Sequence, residues 1–467
     1  MSELNFLGPE YQNRSDNYSS QRLVNMYLER GQGKKQWVML GTPGLTHEVF
    51  EISFGGVRGA LRFNDDISIW VVGARVFAVE KDTFTLNYLG DVVDDGEPVT
   101  LASNGINVVV ASGGTLYGTG PIVLPYADIM SIITTNVGSV DYIDGYFILN
   151  ELTTGKFYIS GQYTTSIDAL DFATAEAAPD KLVRVLVNNR EAILFGTETI
   201  EFWYNSGNVD FPFSRVQGAV VEEGLAAKNS AVLCGNTVAW LGGSKQGGLT
   251  VWSFEGYRPT QISTPAISYA IGQWSRVDDA WAFFYKHESH AFYVLTSPTE
   301  SETWVYDFST GLWHKRAWLN ELGEQKRIRV NTYMNFSGKD LVGDWETGKV
   351  YEYRLDTYTD NGGEILRQRA CQMIQKELKM QRNGTFRLDM DTGVGLPTGQ
   401  GSNPQVMLRV SKDGGKTWGN ELFRSFGQSG EYDKHVEWHR VGGGERTVFE
   451  ISISDPVKVA ITGAYFE

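Results

Sequence analysis

Apolar and polar positions along this chain alternate in short runs, and one layout recurs: an apolar run, a turn, then a second run ending in aromatics. It is seen in "ISIWVVGARVFAVE", "INVVVASGGTLYGTG", "YFILNELTTGKFYIS", "EAILFGTETIEFWYN", "TVAWLGGSKQGGLTVWSF", "AFYVLTSPTESETWVYDF" and "KDLVGDWETGKVYEYRL". Such runs are strand pairs. Glycine, Asn, Asp and Thr-Gly hold the turns because they tolerate positive φ or bond locally to the backbone. No long stretch carries a convincing 3.6-residue period. The best short helix candidate is "LDFATAEAAPDK", residues 170–181, which Pro179 would help to end. The stretch "LRQRACQMIQKELKMQR" is ambiguous: its propensities permit a helix, yet Arg369 to Gln375 alternates as a strand would.

The strand-pair units recur roughly every 40 to 50 residues, the spacing of propeller blades. One blade cannot bury both faces, whereas a closed ring of blades can, and it leaves only short edges. An all-β chain with a six- or seven-bladed β-propeller over 46–360 is therefore expected, an open sandwich pair being the rival. After the polar break "DTYTDNGGEILRQR" the pattern changes to longer alternating strands, which predict a C-terminal antiparallel β-sandwich over 361–467. Residues 1–45 form an N-terminal arm, expected to pair with a blade edge or a neighbouring subunit.

Composition agrees with this class. Aromatics make up 13% of the 467 residues and there are 52 glycines, a combination suited to pleated sheets and tight turns. The net charge of −15 argues against gripping nucleic acid or anionic membranes, because grip comes from Lys and Arg displacing counterions. Cys234 and Cys371 form neither a metal-binding spacing nor a disulfide framework, and read as free thiols of a protein folded in a reducing cytosol. The start "MSELNFLGPEYQNRS" lacks a basic stretch followed by an apolar one, so no signal peptide is expected, and no apolar run reaches the ~18 residues that cross a bilayer.

The loudest short motif is "SKDGGKTW", with the Asp-box form Ser411, Asp413, Gly415, Thr417, Trp418. Asp-boxes occur in sialidases and other propeller glycosidases, but the motif is a fold element. Its Asp accepts backbone N–H groups, its Gly permits the turn, and its Trp packs on the sheet. Here it stands once, in the predicted sandwich, without the Phe/Tyr-Arg-Ile-Pro sequence or spaced arginines of sialidases. Nothing marks the pair of facing carboxylates that glycoside hydrolysis needs. No catalytic residue, cofactor or metal is expected. In "HVEWH", His435 and His439 lie on a strand with Val436 and Trp438, and at ~3.3 Å per residue they stand too far apart for one metal. "KHESH" puts His287 and His290 at a hairpin tip, read as a solvated turn. "DMDTG" offers Asp389 and Asp391 but not the further ligands of a calcium loop.

Several stretches, in one order along most of the chain, resemble the packaged-DNA stabilisation protein, or tail hub, of short-tailed podovirus-type bacteriophages. They are "LVNMYLE" and "GTPGL", then "ALDFATAEAAPDKLV", "ILFGTETIEFW" and "GLAAKNS", then "FRLDMDTGVG", "SKDGGKTW" and "KHVEWHRVGGGERTVFEISISDPVKVAITGA". The closing block is the most specific, although its turn Gly443-Gly444-Glu445-Arg446 is less basic than in some relatives. The resemblance implies a virion tail protein without enzymatic activity, made and assembled in the host cytoplasm. It implies a homo-oligomeric ring, a hexamer, below the portal and adaptor. Such a hub extends or closes the DNA channel, stabilises packaged DNA, and anchors tailspikes or fibres and a needle or plug. DNA would pass without tight binding, and acidic groups lining the bore would suit that passage. The alternatives are a phage-borne propeller glycosidase or depolymerase, and a carbohydrate- or protein-binding propeller.

Overall fold

The computed structural model describes every residue except 1, 13, 15–19, 32, 34, 123–127, 134–135, 177, 244–247 and 376–378, and the side chain of Asn383. Seven antiparallel sheets follow one another along the chain as blades: 57–91, 100–133, 137–174, 182–221, 224–261, 281–316 and 330–354. The seventh is completed by Phe50–Glu51, which pairs with Lys349–Arg354, so an N-terminal strand locks the ring shut. The blade number left open by sequence is thus seven.

Strand periodicity explains why the runs are apolar throughout. In Ile67–Val72, Trp70 and Val72 pack with Phe336 and Leu341 of blade 7, while Ile69 and Val71 pack with Val108 and Val110 of blade 2. Alternate side chains leave opposite faces of a strand, and each blade face meets a neighbour, so both must be apolar. The same sharing recurs at every blade boundary, ending with Phe283 and Tyr285 of blade 6 against Tyr351 and Tyr353 of blade 7. Among the described residues there is one α-helix, Pro265–Ile271, capped by Thr264 and begun with proline. The helix expected over 170–181 is not there: Ile167–Thr174 is the outer strand of blade 3, paired with Lys156–Ser160. Hydrogen bonding to a neighbouring strand overrode a short helical propensity. In the ambiguous stretch, Arg367–Ala370 is a strand, and 376–378 lie outside the described residues.

Besides several two-residue strands, the strands outside the blades are β1 (Ser2–Leu4), β2 (Ser20–Val24), β3 (Met26–Arg30), β4 (Trp37–Gly41), β5 (Arg367–Ala370), β6 (Gln381–Met390), β7 (Gln405–Ser411), β8 (Leu422–Ser425), β9 (Val436–Gly444), β10 (Val448–Ile453) and β11 (Ala460–Phe466). They form two packed sheets. One has the order β3-β4-β11-β6-β9, with β1 also on β11. The other runs β2-β5-β10-β7-β8 and continues through β2 into Leu312–Arg316 of blade 6. The arm, expected at a blade edge or on another subunit, does meet a blade edge, but most of its pairing is with the sandwich. Leu4, Phe6, Leu23, Met26, Leu28 and Met39 lie in the sandwich core beside Phe386, Trp438 and Phe449.

The propeller–sandwich junction as candidate functional site

The arm crosses from one sandwich sheet to the other at Asn25. Its neighbours Val24 and Met26 are both buried, and it takes a left-handed backbone with φ 54°. Asparagine tolerates that conformation better than most residues. Its side chain is fully used. Nδ2 donates to the carbonyls of Ala317 (2.8 Å) and Leu366 (2.9 Å), and Oδ1 accepts from Ala317 N (2.9 Å). One residue therefore ties the arm, the exit of blade 6 and the entry to the sandwich. Asn25 N also donates to Lys315 O at 2.9 Å, and Thr42 N donates to Asn25 O at 3.1 Å.

Buried arginines bind the same seam. The Arg369 guanidinium, fully buried, donates to the carbonyls of Phe6 (2.7 Å) and Pro9 (3.1 Å) and to Gln21 Oε1 (2.8 Å). Arg316 donates to Pro43 O (2.9 Å) and lies over the Tyr353 ring. Burial lowers the pKa of Arg369 to about 10, so it stays charged at neutral pH, and nearby Glu10 supports that charge. Glu10 is itself buried, accepts from Leu23 N, and has its pKa raised by burial. Glu450 in β10 pairs with Arg409 and, at 3.7 Å, with Arg22 of the arm. In "GTPGL", a Cβ on Gly44 would stand 2.4 Å from Thr357 O and 2.5 Å from Thr359 O, so only glycine lets the arm pass the inter-domain segment.

The arm also covers part of blade 6. His290, read from sequence as part of a solvated tip, is 4% exposed under Tyr27. Its Nδ1 lies 2.7 Å from Asp307, and its Nε2 lies 3.6 Å from Glu29 of the arm. Burial works against a charge on His290, but Asp307 and Glu29 outweigh it and its pKa lies above the ordinary value. His314 beside it is buried without a carboxylate of its own, and burial drives its pKa down to about 3, with Arg316 adding to the effect. His287 stays partly exposed, 3.4 Å from Asp340.

The Asp-box residues sit between β7 and β8. Asp413 accepts from Lys416 N (3.0 Å), Thr417 N (2.9 Å) and Thr417 Oγ1 (2.6 Å), and Ser411 Oγ donates to it at 2.7 Å. These bonds hold its carboxyl well below the usual range. Gly415 has φ 98°, and a Cβ there would come within 3.2 Å of Ser20 in the arm. Trp418 packs against the sandwich core with Arg409 over its ring.

The other sequence candidates do not converge. Asp389 pairs with Lys35 and Asp391 with Lys458. His439 bonds Thr385 (3.2 Å), whereas His435 meets Arg387. Among the described residues no three His, Cys, Asp or Glu side chains come together as a metal site. Cys234 and Cys371 are free and buried in different domains. The innermost strands of all seven blades line one axial cavity of about 410 Å³, and the only acid among its lining residues is Asp141. Asp141 accepts from Val187 N (2.7 Å) and Tyr142 N (2.8 Å), and burial raises its pKa to about 6. A second carboxylate facing it across the cavity, as glycoside hydrolysis requires, is not among those residues.

Sequence reasoning missed Glu10, Asn25, Arg316, Arg369 and Glu450. Charged residues on an alternating strand read as its solvent face. The one available signal was Asn25, a polar residue breaking the run "RLVNMYL".

Two family profiles match the chain, one described as "Bacteriophage P22 Gp10, beta-propeller" over residues 4–358 and one as "Bacteriophage P22 Gp10, beta-sandwich" over 367–467. The chain belongs to the bacteriophage P22 Gp10 family. It is a phage tail protein of the Gp10 type, and the junction described above joins the two Gp10 domains. No curated protein sequence matches the chain. Solved structures similar to it include the computationally designed Ika8 protein (14% identity, 72% of this chain and 99% of that one, TM-score 0.38). The Neurospora crassa Pan2 WD40 domain (8%, 64% and 89%, TM-score 0.42) is another. A third is a putative 6-phosphogluconolactonase from Bacteroides fragilis (14%, 65% and 95%, TM-score 0.37). Among the described residues no helix is long and apolar enough to cross a membrane.

Proposed function

We propose that this chain is a non-catalytic hub subunit of the tail, repeated as a ring (a hexamer) below the portal and adaptor. There it extends or closes the DNA channel, stabilises packaged DNA, and anchors spikes or fibres and a needle or plug. The observation that carries this reading is the junction: a sheet continuous from blade 6 into the sandwich, stitched by Asn25 and Arg369, makes two domains one rigid bracket. A bracket that bears load between tail parts must not flex where the chain passes between its domains, which it does once after the arm and again after blade 7, and domains held by small polar contacts alone do flex. Family membership over both domains supports the same assignment.

The charge bears on mechanism. A chain of net charge −15 retains DNA by closing the path and recruiting further tail parts, not by holding phosphates. DNA-filled heads assembled without this protein should leak. Nuclease sensitivity of their DNA measures that, and full protection in its absence would remove the stabilising role.

A further inference from the structure

The chain is electrically lopsided. Residues 361–467 carry 14 Lys and Arg against 13 Asp and Glu, whereas residues 1–360 carry 27 against 43. Within the propeller the imbalance is concentrated further. Between Lys81 and Lys156 there is no Lys or Arg, while nine Asp and Glu occur, and blade 2 has no basic residue at all.

This stretch is also where the propeller shows apolar groups at its rim. The outer strands of blades 1, 2 and 3 are Leu86–Asp91, Ile129–Ile133 and Ile167–Thr174, each paired on one side only among the described residues. They expose Tyr88 (51%), Met130 (70%) and Leu170 (82%), beside exposed Asp91, Asp128 and Asp168. The surface is continuous: Gly90 abuts Ile129, and Ile132 of blade 2 reaches Gly118 and through it Thr165 of blade 3. Two cations lie against its rings, Arg75 at Tyr88 and Lys156 at Phe172. An eight-residue edge strand with exposed leucine is a pairing surface unless something covers it.

The blade edge used by the sandwich lies on the other side of the ring. Blade 6 is three steps from blade 3 and, counting through blade 7, three from blade 2, which in a seven-membered ring is diametrically opposed. The sandwich ends, farthest from blade 6, in the two edge strands β8 and β9, which pack side by side through Arg424 Nε on Glu437 O (3.0 Å) and Trp438 Nε1 on Leu422 O (2.7 Å). That far edge exposes Leu422 (40%) and Phe423 (51%), with Arg424 and Arg440 exposed beside them; its acids are Glu421, just before β8, and Glu437 in β9, which pairs with His439.

We propose that the rim of blades 1–3 docks on the β8–β9 edge of a second copy of this chain. This contact rests on the ring reading given above and supplies its two faces. Like charge opposes pairing of the acidic rim with itself, so a two-fold dimer through that rim is disfavoured. Arg424 and Arg440 on the edge offer ion-pair partners to Asp91, Asp128 and Asp168 on the rim, both surfaces carry exposed apolar side chains, and among the described residues both offer unpaired strand edges. They stand at opposite poles of one rigid body, as a head-to-tail contact requires.

The test uses particles assembled with a chain carrying Leu170→Cys and Phe423→Cys, treated with a short bismaleimide. Cys234 and Cys371 are buried, so the new thiols dominate. The expected result is a ladder of linked chains, absent from either single variant and from a control pairing Phe423→Cys with Val209→Cys, whose blade 4 site is 99% exposed. Asp168→Lys with Asp171→Lys should reduce linking about tenfold, and adding Arg424→Glu should restore part of it. No ladder above the control, in particles whose micrographs show a ring of this protein, overturns the contact and leaves the ring reading standing. Particles that show no ring overturn both.

Discussion

Single residues carry more of this architecture than their surface-like chemistry suggests. Asn25 satisfies three backbone groups of two other segments from a left-handed backbone. Asn25→Gly, which keeps the conformation and loses the bonds, should cost on the order of 2–3 kcal/mol, and Asn25→Ala about 1 kcal/mol more. Denaturant titration of both variants separates bonding from strain. Asp413→Ala should cost on the order of 1–3 kcal/mol in the sandwich, because the Lys416 and Thr417 amides lose their acceptor. Its melting transition checks this. His314 sets a pH dependence. Its folded-state pKa of about 3 lies below the unfolded value near 6.5, so its stability contribution is present above pH ~6.5 and is lost as pH falls towards 3. His290 works the other way: its pKa is raised, so its contribution is full below ~6.5 and fades as pH rises through its folded value. Between pH 6.5 and 5 the His314 effect should amount to roughly 2 kcal/mol. His314→Phe should flatten the fall in unfolding midpoint over that range, and an unchanged slope would contradict the assignment.

At the scale of elements, the arm is the decisive segment. Read alone it is a tail ahead of the propeller; in the fold it supplies β1 to β4 and six core side chains, and its last residues, Gly44–Leu45, pair with Lys349–Arg354 of blade 7. Removing residues 1–30 should therefore unfold the sandwich rather than yield a folded chain that merely assembles poorly. Limited proteolysis would show it, with the propeller surviving and 361–467 digested; a protease-resistant sandwich in the truncated chain would refute this. Blade strands are simpler. Trp70 and Ile69 belong to different blade interfaces because neighbours on a strand point apart, and that much was readable from the pattern "ISIWVV". Ile167–Thr174 was not readable, since an edge strand with one solvated face has neither a continuous apolar run nor strict alternation.

At the scale of the whole molecule, a closed ring and a sandwich share one sheet, and the charge is carried by the ring. Purified protein should bind duplex DNA weakly or not at all at physiological salt, by filter-binding titration. Tight, salt-sensitive binding would leave a tail role intact but overturn retention by closure.

The sequence by itself determined the all-β class, the repeat that makes a propeller, the change to longer strands near residue 361, and the Asp-box turn, because each follows from spacing along the chain. Blade number, the place of the arm, and the burial of Glu10, His290, Arg316 and Arg369 were decided only in three dimensions. Ring closure depends on how far each sheet twists against its neighbour. A buried charge is tolerated only where distant segments bring it partners: Arg369 needs Phe6, Pro9 and Gln21, more than 340 positions away. Local pattern fixes what a strand can offer; the partners that complete it come from elsewhere in the chain.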